Sequence, residues 1–228
     1  MAFQYTEVVP WGRSCEEYVR MFDLDARDLG ARILGCGDGP ASFNAELTRR
    51  GGSVVSIDPL YELARAAIEQ RIAETFELVM SQTERERQRF VWREVRDPEH
   101  LAATRMGAMR AFLEDYECGR EEGRYVAGAL PELAVADGAF DLALSAHLLF
   151  FYAEQLDREF HRRAVAELRR VAREVRIFPL VDVNAERSRH LEPLLEELER
   201  EGARPRVVRV PYEFQRGGNE MLVLRGAG

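Results

Sequence analysis

The sequence predicts an α/β fold, a seven-stranded, mostly parallel sheet with a C-terminal antiparallel hairpin, helices on both faces and a helical insertion after strand two. Three observations predict it. A strand, a glycine turn, a helix and a second strand follow one another between Ala31 and Asp58, the pattern of a βαβ unit. Three further apolar runs, "RYVAG", "FDLALS" and "VRIFPLV", are separated by loops or one helix. The chain then ends in two β-rich runs, "RPRVVRVPYEF" and "EMLVLR", joined by the glycine-containing "QRGGN".

The elements follow in order. "SCEEYVRMFDL" (14–24) reads as a short amphipathic helix, with Ser14 as N-cap and Tyr18, Met21 and Phe22 on one side. Strand one is "ARIL", after which Gly35, Gly37 and Gly39 make a turn into a helix from Ala41 to Arg50, stopped by Gly51 and Gly52. Strand two, "SVVSI", ends at Asp58-Pro59. Residues 60–122 are mostly helical, too long for a single crossover. "ELARAAIEQRIAETFELVM" and "PEHLAATRMGAMRAFLEDYECG" read as two long helices around "RFVW", forming an insertion over the sheet. The whole chain, 1–228, reads as one domain, with 1–30 as an N-terminal cap segment and 60–122 as a lid.

Composition excludes several classes of function. A 46% hydrophobic, 32% charged chain without a long apolar run is expected to be globular and to have no membrane partner. The N-terminus lacks the basic and apolar regions of a signal peptide, and Cys15, Cys36 and Cys118 lie far apart, which together suggest reduced thiols in a cytoplasmic protein without a zinc site. All 32 basic residues are Arg, so Schiff-base chemistry and a P-loop lysine are absent. A net charge of −8 argues against a nucleic-acid partner; most arginines alternate with glutamates on helical stretches as solvated faces.

Open parallel sheets bind ligands beyond the carboxyl ends of their strands. The turn "GCGDG" lets a ligand approach the backbone at a helix N-terminus, or simply allows tight helix packing. Asp58, 19 residues after Gly39, stands where a carboxylate accepts from both ribose hydroxyls of a nucleoside. Ser145, Ala146 and His147 leave strand four over the same site; "LLFFY" follows, with Leu148 and Leu149 expected in the core.

"RILGCGDGPASFNAELTRRGGSVVSID" and "GALPELAVADGAFDLALSAHLLF" resemble the first two strands and the third-to-fourth strand passage of class I S-adenosylmethionine (SAM)-dependent methyltransferases, and the resemblance extends over nearly the whole chain. It implies SAM as cofactor, with Gly35, Cys36, Gly37 and Gly39 around its methionine portion, Asp58 and Pro59 at the ribose, Ala129 and Leu130 at the adenine, and Ser145 and Ala146 closing the pocket. Arg13 would pair with the methionine carboxylate, and Trp11, Tyr18, His147, Phe151 and Tyr152 would face the methyl acceptor, a small molecule or a protein group. His147 is the base expected from its position, a packed histidine being the other reading. Two positions depart from the family pattern: Gly35 and Ala129 stand where acids are usual. Asp38 could replace the first, and a backbone carbonyl or an acid of the insertion the second. A non-catalytic binding protein with a degenerate SAM site is the alternative reading; a nicotinamide oxidoreductase is disfavoured by the terminal hairpin. Neither the acceptor nor the oligomeric state is legible.

Overall fold

The computed structural model describes residues 9–225; of the expected cap segment, residues 1–8 lie outside the described residues. Seven strands form one sheet: β1 (Arg32–Cys36), β2 (Ser53–Ile57), β3 (Tyr125–Val126), β4 (Phe140–Ala146), β5 (Ala172–Phe178), β6 (Arg206–Arg209) and β7 (Glu220–Arg225). Their order is β3-β2-β1-β4-β5-β7-β6. The first five are parallel, and β7 inserts antiparallel between β5 and β6. This is the fold expected, and the strand order reverses between β1 and β4, where open sheets form their ligand crevice.

Among the described residues, seven α-helices surround the sheet: α1 (Cys15–Met21), α2 (Ala26–Leu29), α3 (Phe43–Arg49), α4 (Arg65–Arg85), α5 (Pro98–Glu121), α6 (Arg158–Val171) and α7 (Leu191–Arg200). Alternation along the strands sends successive side chains to opposite faces. Leu34, Cys36, Ala143, Val175, Ile177 and Leu222 pack with residues of α6 and α7, whereas Ile33, Val54, Leu142, Leu144 and Val223 pack with residues of α1 and α3. Ser14 caps α1 through a reciprocal box with Glu17, as its sequence position predicts.

The boundaries that differ have local causes. Strand five was expected over 175–181, but Pro179 has no N–H to donate, so the ladder stops at Phe178 and extends backwards to Ala172. Pro211 likewise limits β6, whose last extension is Val210 N–H donating to Asn219 O at 2.9 Å. β3 is only two residues long and lies at the sheet edge.

The insertion is two long helices, α4 and α5, packed on one another and, through α5, on α3. Tyr61, Ile68, Ile72, Phe112, Tyr116 and Tyr125 form their own apolar cluster beside β3. Tyr116 Oη donates at 2.9–3.0 Å to the carbonyl oxygens of Tyr61 and Leu63, fixing α5 to the chain leaving β2. A buried ion pair joins Arg105 of α5 to Glu17 of α1, and Tyr212 Oη, preceding the last strand, donates to Glu17 at 2.8 Å. Burial alone would raise the Glu17 pKa, but Arg105 and then Arg13 hold it down to about 2. One carboxylate thus ties the N-terminal segment, the insertion and the C-terminal strands together.

Candidate functional site

A cavity of about 610 Å³ opens across the carboxyl ends of β1, β2 and β4, a volume within the range of ligand pockets. It is not filled by the protein's own side chains. Each side of it is positioned by a different part of the chain.

The floor is the glycine turn. Gly37 (φ +73°) and Gly39 (φ +53°) occupy left-handed backbone that favours glycine, and a Cβ on Gly37 would lie 2.5 Å from Leu148 Cδ2. Gly37 N–H donates to Ile57 O at 2.9 Å, which holds the turn against the end of β2. Cys36, Gly37 and Gly39 line the cavity; Gly35 does not. A Cβ on Gly35 would stand 1.8 Å from Asp38 Oδ2, so the absent side chain at 35 makes room for the carboxylate of Asp38. That carboxylate accepts from Tyr18 Oη at 2.8 Å and Ser56 Oγ at 2.6 Å. Burial pushes its pKa up to about 6, against the pull of the two hydroxyls, and Asp58 adds to the rise. The acid missing at 35 is therefore present in space, supplied three residues later. The expected contact of Gly35 with a cofactor is corrected accordingly: its place is behind the turn.

Asp58 stands at the tip of β2. Its Oδ2 accepts from Gly39 N–H at 2.9 Å and its Oδ1 from Leu60 N–H at 2.8 Å, so both oxygens are oriented by backbone. A carboxylate has about four acceptor sites, and two hydroxyl donors can still be received. Burial raises its pKa. Pro59 follows on the wall, and Ala129 and Leu130 line the cavity after β3, as does Ala146 after β4. Ser145 does not line it: the side chain is wholly buried within the sheet, with Oγ lacking a hydrogen-bond partner. The period of two along β4 turns its neighbour Ala146 to the other side.

Arg13 lines the cavity as the sequence suggests. Its Nη1 donates to Trp11 O at 2.9 Å, while its buried Nε has no hydrogen-bond partner. Burial and the neighbouring Arg105 lower its pKa, both of which an incoming anion would offset. Trp11 lines the wall and is fixed by a ring contact with Phe76 of α4 at 5.4 Å. Tyr18 lines it too, but its hydroxyl is spent on Asp38, placing it at the glycine turn rather than in a separate acceptor space.

His147 sits just past β4 in left-handed backbone (φ +51°), its N–H donating to Phe178 O at 2.7 Å. Its ring lies 5.4 Å from those of Phe151 and Phe178, and Nδ1 is buried without a partner. Burial, then Arg13 and Arg105, drives its pKa well below the usual value, so the ring is neutral near pH 7 and a weaker base than its sequence position implied. Phe151 and Tyr152 line the same side, and Tyr152 Oη accepts from Val9 N–H at 3.1 Å.

Sequence reasoning missed part of this wall. Leu148, expected in the core with Leu149, lines the cavity. Gln215, at the start of the hairpin turn "QRGGN", also reaches it, while Glu213 serves that turn by accepting from Gly217 N–H at 2.8 Å. Phe90 and Phe214 complete the roof, stacked at 4.9 Å; the only local signal was the "RFVW" break between two helices. Glu62, at the start of the insertion, is the third lining carboxylate after Asp38 and Asp58. No cluster of three metal-ligating side chains and no helix long and apolar enough to cross a membrane occurs among the described residues.

No family profile matches the sequence. In outline the fold is similar to a TehB-like SAM-dependent methyltransferase of Corynebacterium glutamicum (19% identity, 87% of this chain and 81% of that one, TM-score 0.46). It is also similar to the magnesium protoporphyrin IX methyltransferase of Synechocystis PCC 6803 with bound SAM (12% identity, 93% of this chain and 78% of that one, TM-score 0.48). At these identities and scores no residue role passes from them to this chain. A relative in Methanocaldococcus jannaschii, the uncharacterized protein MJ0045, is 31% identical over 220 residues, 96% of each chain. With identity at that level over nearly its full length, the protein belongs to the same family as this archaeal relative.

Proposed function

We propose that the protein is a SAM-dependent methyltransferase. The observation that carries the reading is the open cavity across the tips of β1 and β2 with Asp58 oriented at one side and the unpaired Arg13 Nε at another. These groups fit the donor: Asp58 for the two ribose hydroxyls, Arg13 for the methionine carboxylate, and the side-chain-free Gly37 and Gly39 for close backbone approach. Ala129 and Leu130 would flank the adenine, and Glu62, the first acid of the insertion, also lines the cavity.

SAM supplies a methyl group already activated on a sulfonium, so the protein's task is alignment and exclusion of water. The lid helices and the Phe90–Phe214 roof close the site, and His147 faces it as a neutral acceptor for a proton leaving the methylated atom. A degenerate, non-catalytic site is disfavoured by the placement of Asp38, which restores a carboxylate behind the glycine turn.

Thermal denaturation with SAM, S-adenosylhomocysteine and NAD tests the reading. Stabilisation by the first two and none by NAD is expected, since a ligand that binds only the folded state raises its melting temperature. Stabilisation by NAD alone, or by none, would overturn it.

A further inference from the structure

The cavity continues past the groups assigned to the donor, and the character of its walls changes there. Its charged lining side chains are Arg13, Asp38, Asp58, Glu62 and, on α4, Arg71. Beyond His147 the wall is formed by Phe90, Phe151, Leu156, Phe160, Val183 and Phe214, with no acid and no base among them. Gln215 brings a polar side chain to this lining. Gln215 is 9% exposed, and its Nε2 donates to Asp182 O at 2.9 Å. That bond fixes which end of the amide is oxygen, and Oε1 is left buried without a partner. An unmet buried acceptor is costly, and a donor brought by a ligand would satisfy it.

The roof also limits size. Val91 N–H donates to Phe214 O at 2.7 Å and Arg216 N–H to Arg89 O at 2.8 Å, so the segment between α4 and α5 is stitched to the strand-side loop by backbone bonds. Phe90, Trp92 and Phe214 pack across that seam. A polypeptide or nucleic-acid acceptor would have to break the seam to enter.

Resting on the methyltransferase reading, we propose that the acceptor is a small, neutral, ring-sized apolar molecule carrying an N–H or O–H group that donates to Gln215 Oε1. Burial of the ring against the aromatic wall supplies affinity, and the amide supplies orientation. A carboxylate against these side chains would lose its hydration, and neither the apolar wall nor Gln215 offers it a cation, which makes charge the discriminating feature.

Calorimetry on the protein saturated with S-adenosylhomocysteine tests the assignment, with 2-naphthol as a neutral bicyclic hydroxyl probe and 2-naphthoate as its anionic counterpart on the same frame. The expected result is that 2-naphthol binds at least about tenfold tighter than 2-naphthoate. Gln215→Leu is expected to weaken 2-naphthol by about tenfold while leaving S-adenosylhomocysteine affinity unchanged, which also shows that the variant is folded. Equal or tighter binding of 2-naphthoate, no binding of either probe to the loaded protein, or full affinity in Gln215→Leu would overturn the acceptor class. Failure of S-adenosylhomocysteine itself to bind is a separate outcome that removes the donor site, and this proposal with it.

Discussion

Gly35→Ala introduces one methyl group at a position where the chain has already placed another residue's carboxylate. The new Cβ would lie 1.8 Å from Asp38 Oδ2, 2.5 Å from its Cγ and 2.8 Å from Oδ1, so Asp38 must leave. Its carboxylate cannot slide in place, because Tyr18 Oη and Ser56 Oγ hold it from two sides and both hydroxyls would lose their acceptor. Overpacking of this kind costs about 1–3 kcal/mol and a broken buried hydrogen bond to a carboxylate a similar amount, so a total of about 3–5 kcal/mol is expected. Asp38→Ala alone leaves the hydroxyls unpartnered and costs about 2 kcal/mol. In the double variant the clash has no partner, so the two costs should fall short of additivity by at least about 2 kcal/mol, far above the few tenths seen for independent sites. Urea denaturation of the four proteins at pH 7, followed by circular dichroism, measures the coupling. Additive costs would refute the claim that Asp38 fills the space at 35.

The remaining predictions concern charge. The Asp38 pKa of about 6 lies above its unfolded value, so the stability it contributes is fully present only below its unfolded value and is lost as pH rises through 6; relative to wild type, Asp38→Asn should gain about 2 kcal/mol between pH 4 and 7 by denaturation. Glu17 has the opposite sign: its pKa of about 2 gives stability present above its unfolded value and lost as pH falls through 2, and Glu17→Gln should cost about 3–5 kcal/mol at pH 7 by leaving Arg105 buried and unpaired. A wild-type cost below about 1 kcal/mol would show that the pair does not hold the three segments together. His147 should titrate below the free imidazole value by NMR, and a midpoint near 6.5 would contradict its burial beside two arginines.

What could be read from the sequence was local. The Ser14 N-cap, the βαβ unit and the Asp58 terminus of β2 each depend on residues near one another in sequence, and the structure has them where the spacing put them. The two long helices of the insertion were visible for the same reason, from extended runs of helix-forming residues. The exchange between Gly35 and Asp38 was only partly visible, because a carboxylate folding back over its own strand is settled by Tyr18 and Ser56 from two other elements. Ser145 and Ala146 differ by one position, and the pleat of β4 decided which faced the cavity. Phe90 and Phe214 are separated by most of the sheet in sequence, and no periodicity announces that residues 89–91 pair with residues 214–216. The fall in the His147 pKa comes first from burial and then from Arg13 and Arg105, which reach it from the N-terminal segment and from α5.

The account rests on a sulfonium nucleoside being held by Asp58, and titration of S-adenosylhomocysteine into wild type and Asp58→Ala in a calorimeter tests this most directly. It predicts binding to wild type and a loss of at least about tenfold in the variant, from two hydrogen bonds to a buried carboxylate. No heat from wild type at high micromolar ligand, or equal affinity in both proteins, would contradict it.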